Sequence, residues 1–197
     1  MKKKSEIKRK TLETDIVLNL ILNNVDKSII NTGMPFFDHM LGAMARHGRF
    51  FLDLNCKGDY EIDGHHSVED IGICLGKAFK DAIGSGAGIK RFGDAIIPMD
   101  DALTMVAIDF SGRSYFSYIG PRLDGYINGY SEELTQEFLR SFATNAAMNI
   151  HVIVLYGENR HHIQESIFKA LGVSLSKACS GDPLLGDSVP STKGIIV

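Results

Sequence analysis

HHSVEDIGICLG, residues 65–76, and HHIQESIFKALG, residues 161–172, decide the fold. The second stretch begins 96 residues after the first, and six of the twelve paired positions are identical: both histidines, the glutamate, an isoleucine, a leucine and the glycine. A period of 96 residues is too long for a solenoid. It fits two copies of one β/α unit packed about a pseudo-twofold axis. In the first copy Val68, Ile71, Leu75 and Phe79 recur at helical spacing, so the doubled segment is an amphipathic helix with its histidines at the start.

Working outward, Leu12, Thr14, Ile16, Leu18 and Leu20 alternate with Glu13, Asp15, Val17 and Asn19, which predicts a strand over Thr11 to Leu22 with one buried face. Asn23-Asn24 turns the chain toward a short strand around Ser28 to Ile30. Met34-Pro35 opens a helix that Gly48 stops. Phe50 to Cys56 reads as a strand and about His65 to Ala82 as a helix. Gly84 to Gly93 is a loop at the midpoint. The second half repeats the plan: strands Ala102 to Phe110 and Tyr115 to Ile119, a helix about Ser131 to Ala147, a strand Asn149 to Tyr156 and a helix His161 to Ala178. Strands come in runs before each helix, so an α+β fold with sheets packed on helices is expected, not a doubly wound parallel sheet. The predicted division is a basic solvated tail at 1–10, repeats at 11–90 and 91–180, and a C-terminal loop at 181–197.

Composition narrows the classes. The 197 residues carry 21 Lys/Arg and 24 Asp/Glu, a net charge of -3, which argues against nucleic acid as a partner. Hydrophobic residues at 44% and charged residues at 23% are the ordinary globular mix. No apolar run is long enough for a membrane span, and the charged start is not followed by a leader's apolar core. Three cysteines, Cys56, Cys74 and Cys179, are odd in number and far apart. They form neither a disulfide framework nor a zinc knuckle and suit a cytoplasmic location. There is no Walker A loop and no dinucleotide fingerprint.

The pattern H-H-x-x-E carries the chemistry. On a helix, residues three or four apart share a face and adjacent ones diverge by about 100°. His66 can therefore meet Glu69 while His65 points aside, and His162 can meet Glu165 while His161 points aside. Two ions are expected, one held by His66, Glu69 and His161, the other by His162, Glu165 and His65. Imidazole with carboxylate suits a first-row divalent metal. Without a cation, four imidazoles and two carboxylates would need pairing among themselves. His39 and His47 are further ligand or substrate candidates, and His151 is read as a structural strand residue. Arg91, Arg113, Ser191 and Lys193 are the donor types a phosphate needs, although spacing alone does not bring them together.

FFDHML, GHHSVEDIGICLGKA, RFGDA, MDDAL, SGR, ENRHHIQESIFKALG and STKG follow one another between Glu13 and Lys193. In that order they resemble the imidazoleglycerol-phosphate dehydratase family. The resemblance implies dehydration of D-erythro-imidazoleglycerol phosphate to imidazole acetol phosphate in histidine biosynthesis, with two Mn2+ per active site. It implies a duplicated βββαβα unit of the ribosomal protein S5 domain 2-like kind. It also implies a homo-oligomer, a 24-mer built from trimers with active sites between subunits.

By motif, one ion would take His39, His66, Glu69 and His161, and the other His65, His162, Glu165 and Glu137. Many relatives have His where Glu137 stands. Glu13 matches the acid/base, Arg91, Arg113, Ser191 and Lys193 match the phosphate contacts, and His47 and Lys169 match substrate contacts. The hydrogen to be lost is read as sitting on the ring-bearing carbon, where no carbonyl acidifies it. Two cations on the ring nitrogens would favour the imidazolate and a diazafulvene-like intermediate. A di-metal phosphoesterase is the alternative enzyme, distinguished by released phosphate. A metal-storage shell would leave the Arg91, Arg113 and Lys193 set without a purpose.

Overall fold

The computed structural model describes residues 4–196. The first half runs β1 (Lys4–Lys10), β2 (Thr14–Leu22), β3 (Ile29–Asn31), α1 (Pro35–Gly48), β4 (Phe50–Gly58), α2 (His65–Ile83). The second runs β5 (Phe92–Met99), β6 (Ala102–Asp109), β7 (Tyr115–Ile119), a small hairpin β8 (Tyr126–Ile127) and β9 (Tyr130–Ser131), α3 (Leu134–Ala146), β10 (Asn149–Tyr156), α4 (Arg160–Ala178). The strand orders are β1-β2-β4-β3 and β5-β6-β10-β7. In each sheet the first three strands pair antiparallel and the last lies parallel to its neighbour. Each half is thus one βββαβα unit, and the duplication read from the helix starts extends to the sheets.

Local chemistry sets the boundaries. In β2, Thr14, Ile16, Leu18, Leu20 and Leu22 face inward, the period-2 pattern of a sheet with one wet side. Pro35 begins α1, where its missing N–H costs nothing. Arg49 ends it in a left-handed conformation, returning its N–H to the carbonyls of Ala45 and Arg46. The side chain of Asn159 caps α4 by accepting from the backbone N–H groups of His161 and His162.

The helices lie between the sheets. α2 packs on β1 and β2 and against α3, while α4 packs on β5 and β6 and against α1. Phe37, Phe138, Phe142 and Phe168 meet in this middle layer, with ring centroids 5.4 to 6.2 Å apart. Gly72 and Gly76 let α2 approach α3 closely, since a Cβ on either would stand 2.8 Å from the carbonyl oxygen of Phe138 or Phe142. Gly172 does the same for α4, against Met44 and Gly48 of α1. Gly64 lies against Met34 and Leu134, and the Phe36 ring is 5.3 Å from that of His161. All four helices therefore begin at one end of the molecule.

Four expectations change. Residues 4–10 are not a solvated tail. They form β1, paired with β2 from Lys4↔Ile21 to Lys10↔Asp15. Ser5 is buried, Ile7 packs on the core and Arg9 reaches inward to Asp70, while Lys4, Glu6, Lys8 and Lys10 point outward. The charge run hid an amphipathic strand, and positions 1–3 of the expected tail lie outside the described residues. The long strand starts at Thr14, because the turn before it breaks the alternation and leaves Leu12 fully exposed. The midpoint loop ends sooner than expected, since Phe92 and Gly93 already belong to β5, an edge strand that tolerates Pro98. In addition, Ser131 belongs to the β8–β9 hairpin, so α3 starts only at Leu134.

Candidate metal centre

The first two turns of α1 and α4 bring together His39, His161 and Glu165, whose donor atoms all lie within 4.8 Å of one another. Glu165 Oε2 is 3.1 Å from His161 Nε2 and 3.4 Å from His39 Nε2. Its other oxygen accepts Lys169 Nζ at 2.7 Å. Burial alone would raise the Glu165 pKa, but Lys169, His39 and His161 outweigh it and hold the carboxyl below its ordinary value. The His47 imidazole is pushed down by burial and by Lys169. Two imidazoles and an ionised carboxylate at this spacing are a donor set that a first-row divalent ion fits.

This grouping differs from the predicted partition. Glu165 stands with His161, four residues before it, and with His39; it does not stand with His162. Helical side chains lean toward the N-terminus, so the i,i+4 pair meets here in place of the i,i+3 pair. The duplication carries the same logic to the first repeat. Gly172 faces Met44 of α1 and Gly76 faces Phe142 of α3. Residues 44 and 142 are 98 apart, as are His39 and Glu137. The counterpart of His39, His161 and Glu165 is therefore Glu137, His65 and Glu69. Here Glu137 Oε1 accepts Arg140 Nη1 at 2.9 Å, and among the described residues only the His39 group is drawn together.

His66 and His162 turn to other partners. His66 Nδ1 is 2.9 Å from Asp59 Oδ2, and its Nε2 is 3.6 Å from Glu13 Oε1. The hydrogen bond to Asp59, opposed by desolvation and helped by Glu13, raises the His66 pKa. His162 Nδ1 bonds Asp101 Oδ1, and its Nε2 is 3.5 Å from Asp100 Oδ2. Asp101 also accepts the backbone N–H groups of Asn159 at 2.8 Å and Glu158 at 2.7 Å. The Asn159 amide, His162 and the Glu158 amide hold its carboxyl far below the usual range. A carboxylate on Nδ1 that leaves Nε2 outward is how ligand histidines are oriented. Asp59 and Asp101 were missed as site residues, although MDDAL contained the second.

Glu13 sits half-exposed on the β1–β2 turn, facing His66. The phosphate candidates lie elsewhere. Arg91 holds Asp109 through Nε at 2.6 Å and Nη2 at 3.1 Å, and donates Nη1 to the Pro190 carbonyl at 2.9 Å. Its backbone N–H reaches the carbonyl of Ala178, at the C-terminal end of α4. His161 is at the other end of that helix, about 25 Å away at 1.5 Å per residue. Arg113 is exposed on the turn after β6, and Ser191 Oγ accepts the Lys193 N–H at 3.2 Å. Arg91 and the segment leading to Ser191 are thus neighbours, while the metal candidates are at the opposite end.

Comparison with known proteins agrees. The family model described as imidazoleglycerol-phosphate dehydratase matches residues 32–175. The chain is 52% identical over 188 residues to the imidazoleglycerol-phosphate dehydratase of Leptospira biflexa, covering 95% of each. It is 48% identical over 196 residues to that of Geobacillus kaustophilus, covering 100% of both. The crystal structure of the Staphylococcus aureus dehydratase superposes with a TM-score of 0.82 at 31% identity, covering 91% of this chain and 99% of that one. The Pyrococcus furiosus structure, in complex with (S)-C348, gives 0.81 at 35% identity, covering 96% and 99%.

Proposed function

The chain belongs to the imidazoleglycerol-phosphate dehydratase family, and from that membership we propose that it converts D-erythro-imidazoleglycerol phosphate to imidazole acetol phosphate and water in histidine biosynthesis. The observation that carries the reading is the convergence of His39, His161 and Glu165. Turning a glycerol side chain into an acetol one fixes the bonds that break. The hydroxyl leaves the ring-bearing carbon and the proton leaves the next carbon along, the reverse of the placement read from the sequence. The enol that results rearranges to the ketone.

Two Mn2+ ions are the proposed cofactor. One site is His39, His161 and Glu165, completed by an outward imidazole such as His66. The other is His65, Glu69 and Glu137, completed by His162. Ions bound there supply Lewis acidity toward the substrate's ring nitrogens. Everything else falls to the chain. Glu13 takes the proton, and its exposure beside His66 leaves it accessible to substrate. Asp59 and Asp101 fix the tautomer and aim of His66 and His162. Lys169 keeps Glu165 ionised, and it and His47 stand where they can meet the substrate. Arg91, Arg113, Ser191 and Lys193 hold the phosphate, far from the reacting bonds.

These two ends lie too far apart to meet in one folded copy, so the reading includes a homo-oligomer with sites between copies; the 24-mer of trimers is the form the family resemblance implies. A cytoplasmic location fits a biosynthetic enzyme whose described helices include none able to cross a membrane. The test is an assay for imidazole acetol phosphate with protein stripped by chelator and then restored with manganese. Product should vanish on stripping and return on restoration. Product formation indifferent to the chelator would overturn the metal-dependent reading, and release of inorganic phosphate would mark a phosphoesterase instead.

A further inference from the structure

The turn that carries Glu13 is bonded to α2 at one point and faces it at a second. Within the turn, Thr11 Oγ1 accepts the backbone N–H groups of Glu13 at 3.1 Å and Thr14 at 2.9 Å, and the Thr11 N–H donates to the Thr14 carbonyl at 2.9 Å. Hydroxyls bound to nearby amides in this way fix a turn locally. Thr14, only 3% exposed, then donates its hydroxyl to Asp70 Oδ2 on α2. Asp70 is itself 5% exposed and takes Arg9 Nη2 of β1 on its other oxygen at 2.8 Å. Leu12, at the turn's tip, is fully exposed, so apolar packing does not hold the turn.

The second point of approach is His66, whose Nε2 faces the Glu13 carboxylate at 3.6 Å, beyond hydrogen-bond reach. His66 and Asp70 are four residues apart and share one face of α2. Asp70 therefore holds the backbone of the turn while His66 faces its carboxylate. Burying a carboxylate beside a partly exposed guanidinium is weak as a device for stability alone, because well-packed apolar groups often serve as well. As a device for position it has a clear use, since a base displaced by about 1 Å loses much of its rate.

We propose that Asp70 and Thr14 are positioning residues for the base. Through the Thr14 hydroxyl and the Thr11 bonds they hold Glu13 in register with the helix that bears the first histidine pair. The inference rests on reading Glu13 as the base. It is tested in the assembled, manganese-restored protein with T14V, T14S, D70N and E13Q, measuring kcat, KM for imidazoleglycerol phosphate, manganese per chain and Tm.

T14V should lower kcat about tenfold or more while KM and manganese content stay within about twofold. T14S, which restores the hydroxyl, should recover kcat to within about twofold. D70N keeps an acceptor for Thr14 but loses the charge that pairs with Arg9, and should fall between. If D70N does not fold, the uncharged T14V and T14S pair still decides. Wild-type kcat in T14V with an inactive E13Q would overturn the positioning role and leave the base intact. An active E13Q would overturn the base itself. Equal kcat losses in T14V and T14S that track Tm or manganese loss would reduce the network to a structural one.

Discussion

At the scale of single residues, two carboxylates carry separable roles. Glu13 touches no ligand candidate closer than 3.6 Å, so E13Q should leave manganese content unchanged and cut turnover about 10²- to 10⁴-fold. Metal analysis beside a product assay checks both halves, and a wild-type rate would remove Glu13 as the base. Asp101 is tied to Asn159, Glu158 and His162, and its pKa is lowered in the folded chain. A lowered folded pKa stabilises at pH above the ordinary carboxylate value of about 3.9 and ceases to do so as pH falls through the folded value. D101N should therefore melt below wild type at neutral pH, and the gap should close toward strongly acid pH. A Tm difference constant across that range would show that the ionised carboxylate is not what holds the start of α4. Glu137 is instructive because the sequence pointed to it through resemblance, and the pseudo-symmetry pairs it with His39 on physical grounds.

Among the elements, those with a strong apolar period were legible and those without were not. α2 and α4 announced themselves by stripe and by repetition, and β7 and β10 match their expected limits at both ends. β1 was hidden because six of the first ten residues are Lys or Arg. An edge strand with a wet outer face can carry that charge and still pair along its length. The approach of Glu165 to His161 was not legible for a related reason: three- and four-residue spacings both share a helix face, and only the lean of the side chains chooses between them. Helix contact also makes a prediction. A Cβ at Gly172 would press on the backbone of Met44 and stand 3.0 Å from the Gly48 nitrogen. G172A should push α4 from α1, lose about 1–3 kcal/mol, and separate His39 from His161. Thermal melting and manganese titration should both register it, and an unchanged affinity would show that the α1–α4 spacing does not govern the site.

For the whole molecule, the two repeats share a fold but not a surface. The outer face of the first sheet mixes Glu6, Lys8, Lys10, Asp15 and Asp53 with exposed Val17 and Ile29. The outer face of the second presents Phe92, Ile96, Tyr115, Ile119 and Leu155, all about half-exposed or more. An apolar face of that kind marks contact with another protein surface, which supports the proposed assembly. The long axis of α4 gives the stronger argument. His161 stands at one end and Arg91 at the other, too far apart for one small substrate, so each site would take its base and metals from one copy and its phosphate grip from another. E13Q and R91A, each nearly inactive alone, should then complement when co-expressed, because an E13Q chain can lend Arg91 to a site whose Glu13 comes from an R91A chain. Activity of the mixed assemblies well above either parent is the expected result. Mixtures as inactive as the parents would mean that Glu13 and Arg91 serve a site within one copy, reached by a movement of α4 or of the segment around Pro190, or that they serve different sites altogether.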